Sequence, residues 1–128
     1  MVKVLRVETE SGVGMYVYRA SSNTSYIHEM IEPKNHPCPY EDAALAPIWV
    51  DLDDRSSWNF GFIDLAQLRN WIYRQSWRDY LVKNGMMISV YEVGRKDFHA
   101  GDTQCIFIKK KAKRIDRFGF DEIYTKEI

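Results

Sequence analysis

The chain has 128 residues, of which 45% are hydrophobic, 28% charged and 14% aromatic, and its 18 basic and 18 acidic side chains cancel. This length favours one domain over residues 1–128, because two cores of half the size would each bury too little apolar surface. A neutral chain has no overall electrostatic attraction to nucleic acid or to anionic membranes, which argues against both as partners.

The sequence contains no segment that predicts a membrane span or a secretory signal. No apolar run approaches the roughly 20 residues that cross a bilayer, and the N-terminus lacks the charged and then apolar plan of a signal peptide. We therefore expect a cytoplasmic protein. Cys38 and Cys105 are then expected as free thiols, since disulfides are rare in a reducing compartment.

The predicted elements begin with a β-hairpin. Residues 2–8 and 15–20 have the pattern of strands, and the SGVG between them is typical of a turn. A short helix is expected over residues 25–32, where Pro33 ends it. The two glycines of the turn lie between strands, so they do not form the dinucleotide-binding fingerprint, which precedes a helix.

A long proline-rich loop is predicted next, over residues 33–58. All four prolines of the chain fall between Pro33 and Pro47, and the segment shows no sustained hydrophobic period. Loops of this length inside a small domain are usually functional or mobile. The segment is therefore the first candidate for a functional site.

A central pair of helices is predicted after this loop. Asp64 followed by Gln67 fits a helix N-cap with its reciprocal partner, and Ser76 followed by Asp79 suggests a second cap. The Asn-Gly pair at residues 84–85 is expected to end the second helix. Helical spacing places Trp71 on the apolar face, whereas Trp77 is left open between core and contact surface.

Two further strands are predicted at residues 86–93 and 103–111, and we expect them to pair as an antiparallel hairpin. The tail after them has no clear pattern. Runs of strands around a helical centre, without regular alternation, indicate an α+β fold with a mostly antiparallel sheet.

The strongest chemical candidates are a possible metal site and an acidic stretch. His36 and Cys38 could join His28 or His99 as metal ligands, but structural zinc sites normally show two close pairs, so no metal is expected. The acidic stretch is interpreted as a solvated face rather than as a pair of catalytic carboxylates, or as a surface that meets a basic partner. It contains Glu41, Asp42, Asp51, Asp53 and Asp54.

The basic run KKKAKR at residues 109–114 is the counterpart of the acidic stretch, and this segregation predicts a dipolar molecule. The run lacks interleaved aromatic residues for base stacking, so it is interpreted as solubilising. P-loop and nucleophile-elbow motifs are absent from the sequence. No cofactor is therefore expected, and an enzyme is the less favoured class.

Much of the chain resembles small uncharacterised accessory proteins of tailed bacteriophages. The segments that carry this resemblance are LRVETESGVGMY, HPCPYED, FGFIDLAQLRNWI, GMMISVYEV and GDTQCIFIKK. The resemblance implies a phage accessory protein in the cytoplasm of a bacterial host.

A second, weaker resemblance is to ADP-ribosyltransferase-like folds. It implies that Arg6 contacts a nucleotide cofactor, that the segment from Phe60 forms an aromatic wall, and that Gln104 stands where the family places a catalytic glutamate. Glutamine cannot carry the charge that stabilises an oxocarbenium ion. The implied alternative is an enzyme or nucleotide-binding protein whose cleft holds Arg6, Arg19, His36 and Gln104.

The favoured hypothesis is a non-catalytic protein that binds a host protein and inhibits a defence or regulatory system. It depends on the absence of a convergent set of catalytic residues and on the surplus of Trp, Tyr and Arg. These three residue types are enriched at binding hot spots. The expected contact residues are Trp49, Asp51, Asp53, Asp54, Trp58 and Trp77.

Overall fold

The computed structural model describes residues 1–15 and 39–124. Its strands and α-helices are, in chain order, β1 (Val2–Glu8), α1 (Ala46–Asp51), β2 (Asn59–Gly61), α2 (Leu65–Trp71), α3 (Gln75–Lys83), β3 (Met87–Val93), β4 (Phe98–Ala100), β5 (Cys105–Phe107), β6 (Lys113–Phe118) and α4 (Asp121–Tyr124). Helices together with antiparallel sheets confirm the α+β prediction. Among the residues described, no helix is both long and apolar enough to cross a membrane.

Within the described residues, the strands form two three-stranded sheets, with the orders β1-β3-β6 (sheet A) and β2-β5-β4 (sheet B). All pairs are antiparallel, and a bridge between Leu5 and Phe62 joins the sheets. The predicted hairpin of residues 86–93 and 103–111 is wrong, because β3 pairs with β1 and β6 while β5 pairs with β2 and β4. Lys109–Lys111 is a 3-10 helix and not strand.

Sheet A has apolar clusters on both faces. Successive side chains of a strand point to opposite faces, so Val4 and Val7 of β1 belong to different clusters. On one face, Val7 and Ile88 pack with the buried side chains of α2 and α3, which are Leu68, Trp71, Trp77 and Leu81. On the other, Val4, Tyr91 and Val93 pack with Cys105 and Phe107 of sheet B. The central sheet is therefore covered by helices on one side and by β5 on the other.

The helix pair begins and ends close to the predicted residues. Asp64 accepts a hydrogen bond from the Gln67 N–H at 2.8 Å, and Gln67 Oε1 accepts one from the Ile63 N–H at 3.0 Å, which confirms the start of α2. The predicted cap at Ser76 is wrong, since α3 begins at Gln75 without a side-chain cap. Gly85, with φ +79°, ends α3 as expected.

The N-terminal turn is also confirmed, because Glu8 and Gly14 form an antiparallel bridge across it. The return strand from residue 16 onward and the helix expected at 25–32 lie outside the described residues. The proline-rich segment differs from its prediction from Pro39 onward. It contains 3-10 helices at Pro39–Glu41 and Arg55–Ser57, with α1 between them. Pro47 lies in the first turn of α1, where a missing N–H costs nothing.

Candidate functional site

Helix α1 is made almost entirely of apolar residues, yet none of its side chains is buried. Val50 is 59% exposed, and Ile48 and Trp49 are half-buried. A surface helix normally buries its apolar stripe against the core. We call α1 and the acidic residues that follow it the α1 surface, which consists of Ile48, Trp49, Val50, Asp51, Asp53 and Asp54.

The carboxylates of the α1 surface are exposed. Asp54 accepts hydrogen bonds from Ser56 Oγ at 2.6 Å and from Ser57 Oγ at 2.5 Å, and these bonds lower the pKa of Asp54. The charge of Lys110 lowers this pKa further. The acidic stretch therefore interacts with the basic run at Asp54.

Arg55 fixes the last turn of α1. Its Nε donates to the Trp49 carbonyl at 2.9 Å and its Nη2 donates to the Val50 carbonyl at 3.0 Å. The guanidinium also lies 6.0 Å from the centre of the Trp49 ring. The last carbonyls of a helix lack part of their usual donors, and Arg55 adds one to the Trp49 carbonyl, which also accepts from the Leu52 N–H, and one to the Val50 carbonyl.

Trp58 lies at the end of the proline-rich segment, directly before β2. Its ring stacks on His99 of β4, with the centroids 5.1 Å apart and the planes inclined by 26°. Both side chains are half-buried. The stack attaches the end of the segment to sheet B and leaves part of each ring accessible.

Trp77 does not belong to this surface. It is only 7% exposed and packs in the cluster with Leu81, while its ring meets Tyr73 edge-on at 5.1 Å. Because α3 begins at Gln75, Trp77 and Leu81 stand four residues apart on the face that meets sheet A. Trp77 is a core residue, and the expectation that it contacts a partner is wrong.

Asp42 is the acidic residue that the sequence did not distinguish from the others. It is 2% exposed, so the interpretation of a uniformly solvated acidic face is wrong at this position. Its carboxylate accepts from the N–H groups of Ala44, Leu45, Asp102 and Thr103 and from Thr103 Oγ1. Burial raises the pKa of Asp42, but these bonds outweigh burial and the pKa lies below its ordinary value.

The residues expected to bind a nucleotide are placed differently. Arg6 is 7% exposed, and its guanidinium donates to Glu8 Oε1 at 3.0 Å and to the Phe60 carbonyl at 2.8 Å. Gln104 is 2% exposed, and its backbone carbonyl accepts a hydrogen bond from the Gly101 N–H at 2.7 Å. Arg19 and His36 lie outside the described residues. Both described members of the set are therefore buried in the fold.

Arg6 belongs to a buried group of charges that we call the Glu8 cluster, formed by Arg6, Glu8, Tyr91 and Lys109. Glu8 is fully buried, with Lys109 Nζ 3.1 Å from Oε1 and the Tyr91 hydroxyl donating to Oε2 at 2.5 Å. Burial raises the pKa of Glu8, but hydrogen bonds led by that of Tyr91 lower it to a net value below the ordinary one. Burial and the same bond raise the pKa of Tyr91.

The cluster lies close against the two glycines of the N-terminal turn. A Cβ on Gly12 would lie 2.5 Å from Lys109 Nζ, and a Cβ on Gly14 would lie 2.5 Å from Arg6 Nη2. Glu8 stays ionised and Tyr91 stays protonated, so neither is suited to exchange a proton near neutral pH. The arrangement neutralises buried charge and supports the fold.

Within the described ranges, no group of three or more His, Cys, Asp or Glu side chains is placed to hold a metal ion. Three of the residues considered as metal ligands in the sequence lie outside those ranges. They are His28, His36 and Cys38. Cys105 is a free, buried thiol, and burial raises its pKa.

Comparison with known protein families gives a match. A family model described as the bacteriophage T4 Y00F protein matches residues 1–121. No curated protein and no solved structure matches the chain. The phage resemblance is thereby supported, whereas no likeness to an ADP-ribosyltransferase-like fold is found.

Proposed function

This chain belongs to the bacteriophage T4 Y00F protein family, and we propose that it acts without catalysis, by binding a host protein in the host cytoplasm. The observation that carries the proposal is α1, an apolar helix in which no side chain is fully buried and Val50 is 59% exposed. Contiguous exposed apolar surface marks interaction sites. The α1 surface, together with the accessible part of Trp58, is the proposed contact.

The composition of this surface supports a partner that is both apolar and basic. Val50 and Trp49 provide apolar area, and Asp51, Asp53 and Asp54 provide negative charge beside it. Trp and Arg dominate binding hot spots, and the Arg55 guanidinium lies 6.0 Å from the centre of the Trp49 ring. A neighbour that restricts the rotamers of the indole reduces the entropy that the side chain loses on binding, which favours affinity. By covering a basic surface of its partner, the protein would inhibit a defence or regulatory system.

The alternative function, binding of a nucleotide, receives no support from the described residues. Arg6 is paired with Glu8, and Gln104 is buried beside the 101–103 loop. Releasing Arg6 to a ligand would leave Glu8 with one cation fewer in a fully buried position. We therefore retain the protein-binding proposal alone.

Affinity capture tests the proposal. The tagged protein is used to recover partners from a bacterial host lysate, and the partner found in stoichiometric amount is then titrated calorimetrically. Trp49→Ala should weaken binding at least tenfold, as truncation of a hot spot costs about 2 kcal/mol or more. Higher ionic strength should slow association, because the charges at the contact are exposed.

Two valines provide a matched control. Val50 lies on the α1 surface and is 59% exposed, whereas Val82 lies on α3 and is 52% exposed. Val50→Ala should weaken binding, and Val82→Ala should leave it unchanged. The absence of any stoichiometric partner, or equal effects of the two variants, would reject the α1 surface as the contact.

A further inference from the structure

The segment of residues 39–58, which we call the strap, is attached to the rest of the fold near both of its ends. At its start Asp42 and Leu45 are buried, with 2% and 0% exposure, and at its end Trp58 stacks on His99. Between these attachments, no side chain of α1 is fully buried. The two ends of the strap therefore contribute to the position of the α1 surface.

The attachment at the start is made by one carboxylate. Asp42 Oδ1 accepts from the Asp102 N–H at 2.9 Å, and Oδ2 accepts from the Thr103 N–H at 3.0 Å and Thr103 Oγ1 at 2.9 Å. Oδ1 also accepts from the N–H groups of Ala44 and Leu45 within the strap. All of these donors are uncharged. One carboxylate thus joins residues some 60 positions apart in the chain.

The loop that receives Asp42 is itself fixed to the helical layer. Gln67, which caps α2, donates from Nε2 to the Gly101 carbonyl at 3.1 Å. A Cβ on Gly101 would lie 2.6 Å from Leu45 Cγ and 2.7 Å from Asp42 Oδ2, so the strap and the loop are in close contact. The loop that carries the donors of residues 102 and 103 therefore also has a contact outside the strap.

We infer that the 101–103 loop is an anion-binding site occupied by the chain's own Asp42, and that this occupancy positions the α1 surface. Convergent N–H and O–H groups form a concave site for an anion. Asp42 is thus a positioning residue for the surface used in the proposed function, on which the link to partner binding rests. The anion-binding property of the loop itself does not depend on a partner.

The chemistry of the donors explains why a charged oxygen pair is required. Asparagine at position 42 would direct an NH₂ donor toward the N–H or O–H groups of Thr103 and leave donors without an acceptor. Alanine would leave the whole site open. Buried donors without acceptors are costly, so either change should shift the strap toward release while the remaining fold is kept.

Hydrogen exchange of the free protein tests the inference. The Trp49 and Leu52 amides report on α1, since they donate to the Leu45 and Trp49 carbonyls, and the Leu5 and Phe62 amides report on the sheets. Asp42→Ala and Asp42→Asn should accelerate exchange of the first pair at least tenfold and change the second pair less than twofold. Unchanged exchange at Trp49 and Leu52 in both variants would overturn the inference.

Chemical rescue separates an anion site from ordinary loss of packing. Formate replaces the carboxylate that Asp42→Ala removes, so sodium formate should restore slow exchange at Trp49, and sodium chloride at equal ionic strength should not. Asp53→Ala, which removes an exposed carboxylate of the same strap, should show neither the acceleration nor the rescue. Failure of formate to slow exchange in Asp42→Ala would contradict an anion-binding loop.

A milder variant covers the case in which Asp42→Ala does not fold. Thr103→Val removes one hydroxyl donor at constant shape and should accelerate exchange at Trp49 less than Asp42→Asn does. Partner binding is measured separately. If exchange and rescue behave as expected but Asp42→Ala binds the captured partner with unchanged affinity, the anion-binding loop is supported and the proposed contact through the α1 surface is rejected.

Discussion

Glu8 and Asp42 are both buried carboxylates whose pKa lies below its ordinary value, but they are neutralised in different ways. Glu8 is surrounded by Arg6, Lys109 and the Tyr91 hydroxyl, which come from three separate parts of the chain. Asp42 is held by uncharged N–H and O–H groups alone among the partners described. The first arrangement stabilises the core through opposite charges, whereas the second attaches one peripheral segment.

This difference determines what each substitution leaves behind. Removing the charge of Glu8 leaves Arg6, whose side chain is 8% exposed, and Lys109, whose side chain is 26% exposed, without their shared counter-ion. Removing the charge of Asp42 leaves uncharged N–H and O–H donors, which water can reach once the strap moves. We therefore expect a global loss of stability in the first case and a local opening in the second.

The largest effect is expected for Glu8→Gln. Breaking a buried ion pair by removing one partner costs about 3–5 kcal/mol, because the other charge stays buried and uncompensated. Urea denaturation should show this loss in the free energy of unfolding. Glu10→Gln, at an exposed position of the adjacent turn, is the control and should change stability by less than about 0.5 kcal/mol. A loss below 1 kcal/mol in Glu8→Gln would refute the importance of the cluster.

An intermediate effect is expected for Gly12→Ala, compared with Gly85→Ala. Both glycines have positive φ, +92° and +79°, so each substitution carries a backbone cost of roughly 1–2 kcal/mol. Only at Gly12 would the new Cβ meet Lys109 Nζ, whereas the space around Gly85 is open. Displacing Lys109 weakens its bond to Glu8, which adds about 1–2 kcal/mol. Equal losses in thermal or urea unfolding would show that Lys109 contributes nothing.

The smallest effect concerns acid stability. A carboxylate whose folded-state pKa is lowered contributes stability that is complete above its unfolded-state pKa, about 4, and is lost as the pH falls through the folded-state value. Glu8→Gln removes one such group, so its free energy of unfolding should fall less steeply than that of the unmodified protein below about pH 4. Parallel curves, measured by urea denaturation at each pH, would assign the acid dependence to other carboxylates.

Sequence patterns predicted the helix ends that are determined by neighbouring residues. The Asp64–Gln67 cap located the start of α2, and the Asn-Gly pair located the end of α3. Sheet pairing was not predictable in the same way, since the alternation of residues 103–111 does not indicate which strand they meet. Lys109 leaves the strand pattern because it reaches the buried Glu8, a partner that lies about 100 positions earlier.

The candidate site shows the same limit. Trp49 and Trp58 are partly accessible as their position in the proline-rich segment suggested, but Trp77 is buried because α3 begins before Ser76. Asp42 looked like its acidic neighbours, since its distant donors come from Asp102 and Thr103. A local signal was present. Asp42 followed by Ala44 and Leu45 has the spacing of a side-chain cap on a turn, which favours an ordered residue over a solvated one.

Cys105 gives the molecule a built-in chemical reporter. Its thiol is fully buried between the two sheets, and burial holds its pKa above the ordinary value, so alkylating reagents cannot reach or activate it in the folded state. In a Cys38→Ser background, the rate of alkylation at Cys105 would measure how often sheet B separates from β1 and β3. Motions confined to the strap would leave that rate unchanged, so one reagent can distinguish an opening of the core from a movement at the periphery.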